Sequence, residues 1–221
     1  MIEVSDLSKT FPNGEELEYV LKDVHFELKK GELLGIFGKS GSGKSTLLNI
    51  LSGIEAPASG TVRIDGVNIA GLSDRALTKW RGAHVGIVFQ SFHLIPTLTL
   101  VENVMLPMEF SANRKRKRQR ALELLDQTGI LKKANMFPDT VSGGERQRTA
   151  IARALANDPP IIAADEPTGN LDSQTSSDIF SLFQMLARTG KTVLFVTHDL
   201  EFCDKVSKRL QVQDGSVLEV V

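Results

Sequence analysis

The chain has 221 residues, 41% of them hydrophobic and 24% charged, with 26 Lys and Arg against 27 Asp and Glu for a formal net charge of −1. That balance argues against a partner held by bulk electrostatics, nucleic acid above all. Cys203 is the single cysteine, which excludes an intramolecular disulfide and fits a packed or partly exposed thiol in a reducing compartment. The start Met1-Ile2-Glu3-Val4-Ser5-Asp6 lacks the basic and apolar regions of a signal peptide, and no apolar run approaches the roughly 18 residues of a membrane span. These features predict a cytoplasmic protein whose membrane contact, if any, is made through a partner.

Residues 1–37 alternate apolar and polar, with turns at Pro12-Asn13-Gly14 and Lys29-Lys30-Gly31, and predict antiparallel strands. Leu33-Leu34-Gly35-Ile36-Phe37 then reads as a buried strand. Directly after it, Gly38-Lys39-Ser40-Gly41-Ser42-Gly43-Lys44-Ser45 fits the pattern G-x-x-x-x-G-K-[ST] and leads through Thr46 into a helical run. Such a loop turns backbone N–H groups inward on an anion, and the helix N-terminus adds about half a positive charge, so polyphosphate is the expected ligand. Lys44 is expected to reach the terminal phosphates, and the Ser45 hydroxyl to hold Mg²⁺.

Thr61-Val62-Arg63-Ile64-Asp65-Gly66 continues the strand-rich part, and Val85-Gly86-Ile87-Val88-Phe89 ends at Gln90, whose amide suits a contact to metal or water. Between about Phe92 and Arg153 the pattern turns helical, with helices predicted over 103–110, 116–129 and 144–156. The run Arg114-Lys115-Arg116-Lys117-Arg118-Gln119-Arg120 is expected to open an amphipathic helix with solvated basic turns. Attraction to anionic lipid or to an acidic partner loop is its sharper alternative, with nucleic acid third.

Ile161-Ile162-Ala163-Ala164 is a second buried-strand pattern, and it ends in two carboxylates, Asp165 and Glu166, at the sheet edge where α/β proteins bind ligands. Asp165 suits a Mg²⁺ shell and Glu166 suits polarising or deprotonating an attacking water. Residues 173–189 predict a long helix, after which Val193-Leu194-Phe195-Val196-Thr197 delivers His198, a candidate donor to a γ-phosphate. The predicted fold is α/β, with a mostly parallel core sheet, an antiparallel β lobe and an inserted α-helical lobe. It is expected to form one unit over 1–221, with 1–91 and 157–221 supplying the core and β lobe and about 92–156 the helical lobe.

The ordered set of the phosphate loop, Gln90, Val141-Ser142-Gly143-Gly144-Glu145, Asp165-Glu166, Asn170-Leu171-Asp172 and His198 resembles the nucleotide-binding domain of ABC-type ATPases. Val141 stands for the family's usual Leu and Glu145 for its usual Gln; both changes leave the Ser hydroxyl and glycine N–H groups in place. The resemblance implies ATP and Mg²⁺ as ligands. It further implies a second ATP-binding subunit, most simply a homodimer, in which Ser142, Gly143, Gly144 and Glu145 act on the partner's ATP. It also places an aromatic ring on adenine: Phe11 holds that place with Tyr19 as the nearest rival, while a packing role for Phe11 stays open. No N-K-x-D motif for guanine occurs.

A narrower resemblance, carried by residues 90–104 and by Glu166-Pro167-Thr168-Gly169-Asn170-Leu171-Asp172, is to the macrolide-export, lipoprotein-release and cell-division group of these ATPases. It implies integral-membrane permease subunits of few spans and a peripheral position on the inner face of the cell membrane. The alternative is a soluble ABC ATPase of translation or DNA maintenance. Those soluble types fuse two such domains or insert a long coiled coil, and neither is found in this sequence.

Overall fold

The computed structural model describes residues 1–14, 16–110 and 116–220. Two sheets divide the strands. β1 (Ile2–Asn13) and β2 (Glu16–Leu28) form a long antiparallel pair that β4 (Ser59–Ile64) and the short β5 (Val67–Asn68) extend in the order β2-β1-β4-β5. The other sheet runs β10-β9-β3-β8-β7-β6, with β3 (Leu33–Phe37), β6 (Val85–Val88), β7 (Ile161–Asp165), β8 (Thr192–Thr197) and β9 (Lys208–Gln213) parallel and β10 (Ser216–Val220) antiparallel at the edge.

The central strands are continuous apolar runs because both of their faces are buried, and the two-residue period assigns alternate side chains to separate cores. Ile162, Ala164, Val193 and Phe195 pack into a helical core with α3 (Leu100–Met105), α4 (Lys117–Gln127), α5 (Gly143–Ala154) and α6 (Ser173–Arg188). Ile161, Ala163, Leu194 and Val196 face the other way, onto α1 (Lys44–Leu51) and the antiparallel sheet. Phe195 anchors the first core edge-on to Phe180 and Phe183, at ring separations of 5.1 and 5.3 Å. Such aromatic pairs add about 0.5–1.5 kcal/mol each beyond the area they bury.

Several element bounds differ from the sequence expectation for identifiable reasons. The helix expected over 103–110 begins earlier, at Leu100, because Thr99 and Glu102 form a capping box, and it tightens to a 3₁₀ turn at Leu106–Phe110 around Pro107. The basic helix begins at Lys117 after Arg116, which sits at φ 61. Arg114 and Lys115 lie outside the described residues. Lys117 is not solvated as expected, since it pairs with Glu109 and its side chain is only 12% exposed. α2 (Asp74–His84) has no counterpart in the sequence reading. It buries only Trp80 and carries polar residues on most of its surface, so its apolar period is faint. Among the described residues, no helix is long and apolar enough to cross a membrane.

Candidate active site

The phosphate loop leaves the buried end of β3 and enters α1 at Lys44. Gly43 is the N-cap at φ 104, and a Cβ there would stand 2.7 Å from the Val20 carbonyl oxygen of β2. Both the left-handed backbone and the contact with β2 therefore require glycine. The Ser42 Oγ is buried with no hydrogen-bond partner among the described residues, and the first N–H groups of α1 have no intrahelical acceptor. An unmatched hydroxyl and free amides in one turn fit the oxygens of a bound phosphate. Gly38, Lys39, Ser40, Gly41 and Thr46 complete the turn, Lys39 offering its carbonyl oxygen to Lys44 Nζ at 2.8 Å.

Lys44 is 4% exposed, and besides that carbonyl its ammonium stands 4.0 Å from Glu166 Oε1. The buried cation is thus held at the end of the acidic strand. Ser45 Oγ donates to Asp165 Oδ1 at 3.0 Å, across from the start of α1 to the end of β7. Burial raises the Asp165 carboxyl above its ordinary value, and the neighbouring Glu166 adds to the rise, while the Ser45 hydroxyl and Lys44 oppose it. A carboxylate short of compensating charge, beside a hydroxyl, is a hard-oxygen pair that fits Mg²⁺.

Glu166 lies just past the strand in the left-handed region at φ 42, with its N–H held by the Val196 carbonyl at 3.0 Å. This backbone turns the side chain toward β8, where Oε2 lies 3.2 Å from His198 Nδ1. The carboxylate is thus set between Lys44 and His198. Gln90 follows β6, and its carbonyl accepts from Asn170 Nδ2 at 3.5 Å. Its amide lies close to the backbone of Gly169, as does the Glu166 carboxylate. The structure therefore brings Lys44, Ser45, Gln90, Asp165, Glu166 and His198 together at the ends of the central strands.

Ser142 caps α5: its Oγ accepts the Glu145 N–H at 3.3 Å, and the Glu145 carboxylate accepts the Ser142 N–H at 2.9 Å. Glu145 also pairs with Lys133, and that ammonium is the first reason its carboxyl lies below the usual carboxylate range. Glu145 is therefore committed to the cap, with both its oxygens engaged. At Gly144 a Cβ would come 2.6 Å from Thr175 Cγ2, so this glycine lets α5 approach α6. Gly143 precedes it as the first residue of the helix. Phe11 is 38% exposed on β1, with Lys9 Nζ 5.0 Å from the ring centroid, and pairs across the ladder with Glu18. Tyr19, the rival ring, is 57% exposed on β2.

Arg153, near the end of α5, was not singled out from the sequence. Its guanidinium donates to the carbonyls of His93 and Phe92, at 2.7 Å for Phe92, and both of those residues have positive φ. Burial lowers its pKa from the ordinary value. The segment following Gln90 is thereby tied to the helix that Ser142 opens. In sequence Arg153 is only a basic residue in a last helical turn, and nothing there reveals two left-handed carbonyls facing it.

A glycine loop between a buried parallel strand and a helix, faced by an acidic strand end, defines a phosphate-loop nucleotide hydrolase of α/β architecture. The chain belongs to the ABC transporter family, whose model matches residues 21–169, and it is an ATP hydrolase of that type. It is 42% identical over 219 residues to the uncharacterized ABC transporter ATP-binding protein YvrO of Bacillus subtilis, spanning 99% of this chain and 96% of that protein. It is 40% identical to the macrolide export ATP-binding/permease protein MacB of Salmonella choleraesuis over 99% of this chain, but only 34% of MacB. Among solved structures it is similar to the dimeric post-hydrolysis state of the ATP-binding cassette MJ0796 of Methanocaldococcus jannaschii bound to ADP and Pi, with a TM-score of 0.91 and 44% identity, covering 100% of this chain and 98% of that one.

Proposed function

We propose that this chain is the ATP-hydrolysing subunit of a membrane transporter, pairing with a second copy around two ATP and driving a permease in export, lipoprotein release or mechanotransmission. The observation that carries the hydrolytic part is the Glu166 carboxylate held between Lys44 and His198, beside the Ser45–Asp165 pair. In this reading the phosphate loop from Gly38 to Thr46 binds the polyphosphate and Lys44 meets its terminal oxygens. Glu166 accepts a proton from the attacking water, Gln90 orients that water, and His198 donates to the γ-phosphate. Ser45, Asp165 and Gln90 would hold Mg²⁺, which when bound neutralises charge on the phosphate oxygens. Phe11 stacks on the adenine.

Ser142, Gly143, Gly144 and Glu145 present a capped helix start to the nucleotide of the other copy, where charge develops in the transition state. The dimeric arrangement of MJ0796 supports this pairing. The permease contact has a surface of its own. A groove of about 1610 Å³, away from the phosphate loop, runs between α2 and α4 and is lined by Arg75, Lys79, Arg81, Lys117, Arg120 and the exposed Phe110. Val85 and Ile87 of β6, the strand leading to Gln90, also line it. Movement of a docked permease segment would therefore reach the site through β6. In this reading the chain lies on the inner face of the cell membrane, peripheral and attached through the permease.

The reading is tested by purifying the Glu166→Gln variant from detergent-solubilised native membranes with ATP and identifying its companions by mass spectrometry. A permease of few spans is the expected result. A many-span permease would keep the transporter and discard the export or mechanotransmission role. Ribosomal or DNA-associated companions in place of a permease would overturn the reading in favour of a soluble ATPase.

A further inference from the structure

We infer that Lys133 is a positioning residue for the half of the site that acts in trans: its ammonium neutralises the Glu145 carboxylate, so that a helix start bearing an acidic side chain still receives the γ-phosphate held by a second copy. The inference rests on the paired reading above and adds to it a residue and a reason.

The start of α5 attracts anions because its first N–H groups have no intrahelical acceptor and the helix dipole points its positive end outward. An acidic residue in that first turn is favourable for an isolated helix. It becomes a liability when the incoming anion is a polyphosphate, since two like charges then share one site. This chain has such a residue, Glu145, at the third helical position. Its carboxyl lies below the usual range, so it is charged at neutral pH.

Two contacts engage both oxygens of the carboxylate, and one of them offsets its charge. One oxygen, Oε2, accepts the Ser142 N–H at 2.9 Å, and the other, Oε1, meets Lys133 Nζ. The basic neighbours on α5 are committed elsewhere. Arg146 lies over the Phe92 ring at 5.2 Å, and Arg148 binds the Thr128 carbonyl at 3.1 Å and faces Asp178. Lys133 itself sits on the 3₁₀ turn Leu131–Lys133, its N–H donating to Ile130 O at 3.0 Å and its carbonyl accepting from Met136 at 2.9 Å. The ammonium therefore stands on an anchored backbone.

An exposed ion pair adds little to folding, and the Lys133 side chain is 41% exposed, so its loss leaves the fold intact and appears in association. The test is a double-mutant cycle on the intact chain in the Glu166→Gln background, which slows hydrolysis of Mg-ATP. The dimer dissociation constant is read by sedimentation velocity at saturating Mg-ATP. Lys133→Ala is expected to weaken the dimer by about tenfold when Glu145 is present, and by less than about threefold when combined with Glu145→Gln. Lys133→Arg keeps the charge and restores the parent value. The loss appears in dimerisation and not in ATP affinity of the monomer.

Equal losses in both backgrounds would assign Lys133 a packing role and overturn the inference. Reduced ATP binding by the Lys133→Ala monomer would overturn it as well. A Glu166→Gln parent that stays monomeric with Mg-ATP would instead remove the paired reading, and the inference with it.

Discussion

The role proposed for Glu166 rests on its backbone as much as on its carboxylate. A left-handed residue just past a strand turns its side chain out of the sheet's line, and the Val196 carbonyl fixes that turn, so the carboxylate faces Lys44 and His198. Glu166→Gln is expected to slow single-turnover hydrolysis by about 10²–10⁴-fold, the range for losing a general base, while ATP binding persists; an unchanged rate would take Glu166 out of the chemistry. Lys44→Ala removes the buried cation and should abolish nucleotide binding in an equilibrium titration. Asp165 makes a pH prediction of defined sign. Because burial raises its carboxyl, the folded chain holds that proton more tightly than the unfolded chain does. Its contribution to stability is therefore complete below the unfolded value and is lost as pH rises through the folded one. Asp165→Asn should raise the melting temperature of the ligand-free protein at pH 7, a gain that shrinks as pH falls through the carboxylate range. A lower melting temperature at pH 7 would contradict this account of the charge.

At the scale of elements, α5 carries two loads at opposite ends. Ser142 caps its start, and Arg153 near its end grips the carbonyls of Phe92 and His93, just after Gln90. Ser142→Ala should cost about 1 kcal/mol in chemical denaturation through the lost cap. It should also lower the ATPase rate beyond what that stability change explains. Arg153→Ala leaves two left-handed carbonyls without their donor and should reduce kcat with little change in ATP affinity, Lys recovering part of it. An unchanged kcat would show that the tie does not serve the reaction. These elements were unequally legible. The phosphate loop, the acidic strand end and the Ser142 helix start are local motifs whose chemistry lies in adjacent residues, and they sit between β3 and α1, at the end of β7 and at the start of α5. The carbonyl grip of Arg153 and the Lys133–Glu145 pair join distant segments, and α2 hides its period behind a polar surface with Trp80 alone buried. Lys117 looks solvated in the sequence because its partner, Glu109, stands on a different element from the helix that Lys117 opens.

For the whole molecule, the central sheet separates two cores, and its strand ends collect the phosphate loop, Gln90, Asp165, Glu166 and His198 on one edge. The continuous apolar runs of β7 and β8 made that sheet readable in advance, because a strand buried on both faces has no polar alternation to confuse. The groove beside α2 was not readable, since it exists only where α2 and α4 come to face each other across β6. The paired ATPase makes one demand that a self-sufficient site does not: catalysis must depend on the concentration of the chain itself. Sedimentation equilibrium of the Glu166→Gln protein, with and without Mg-ATP, tests that demand most directly. The account predicts a monomer without nucleotide and a dimer holding two ATP with it, the dimer being lost on Ser142→Arg; a monomer under all conditions, with wild-type hydrolysis per chain independent of protein concentration, would contradict it.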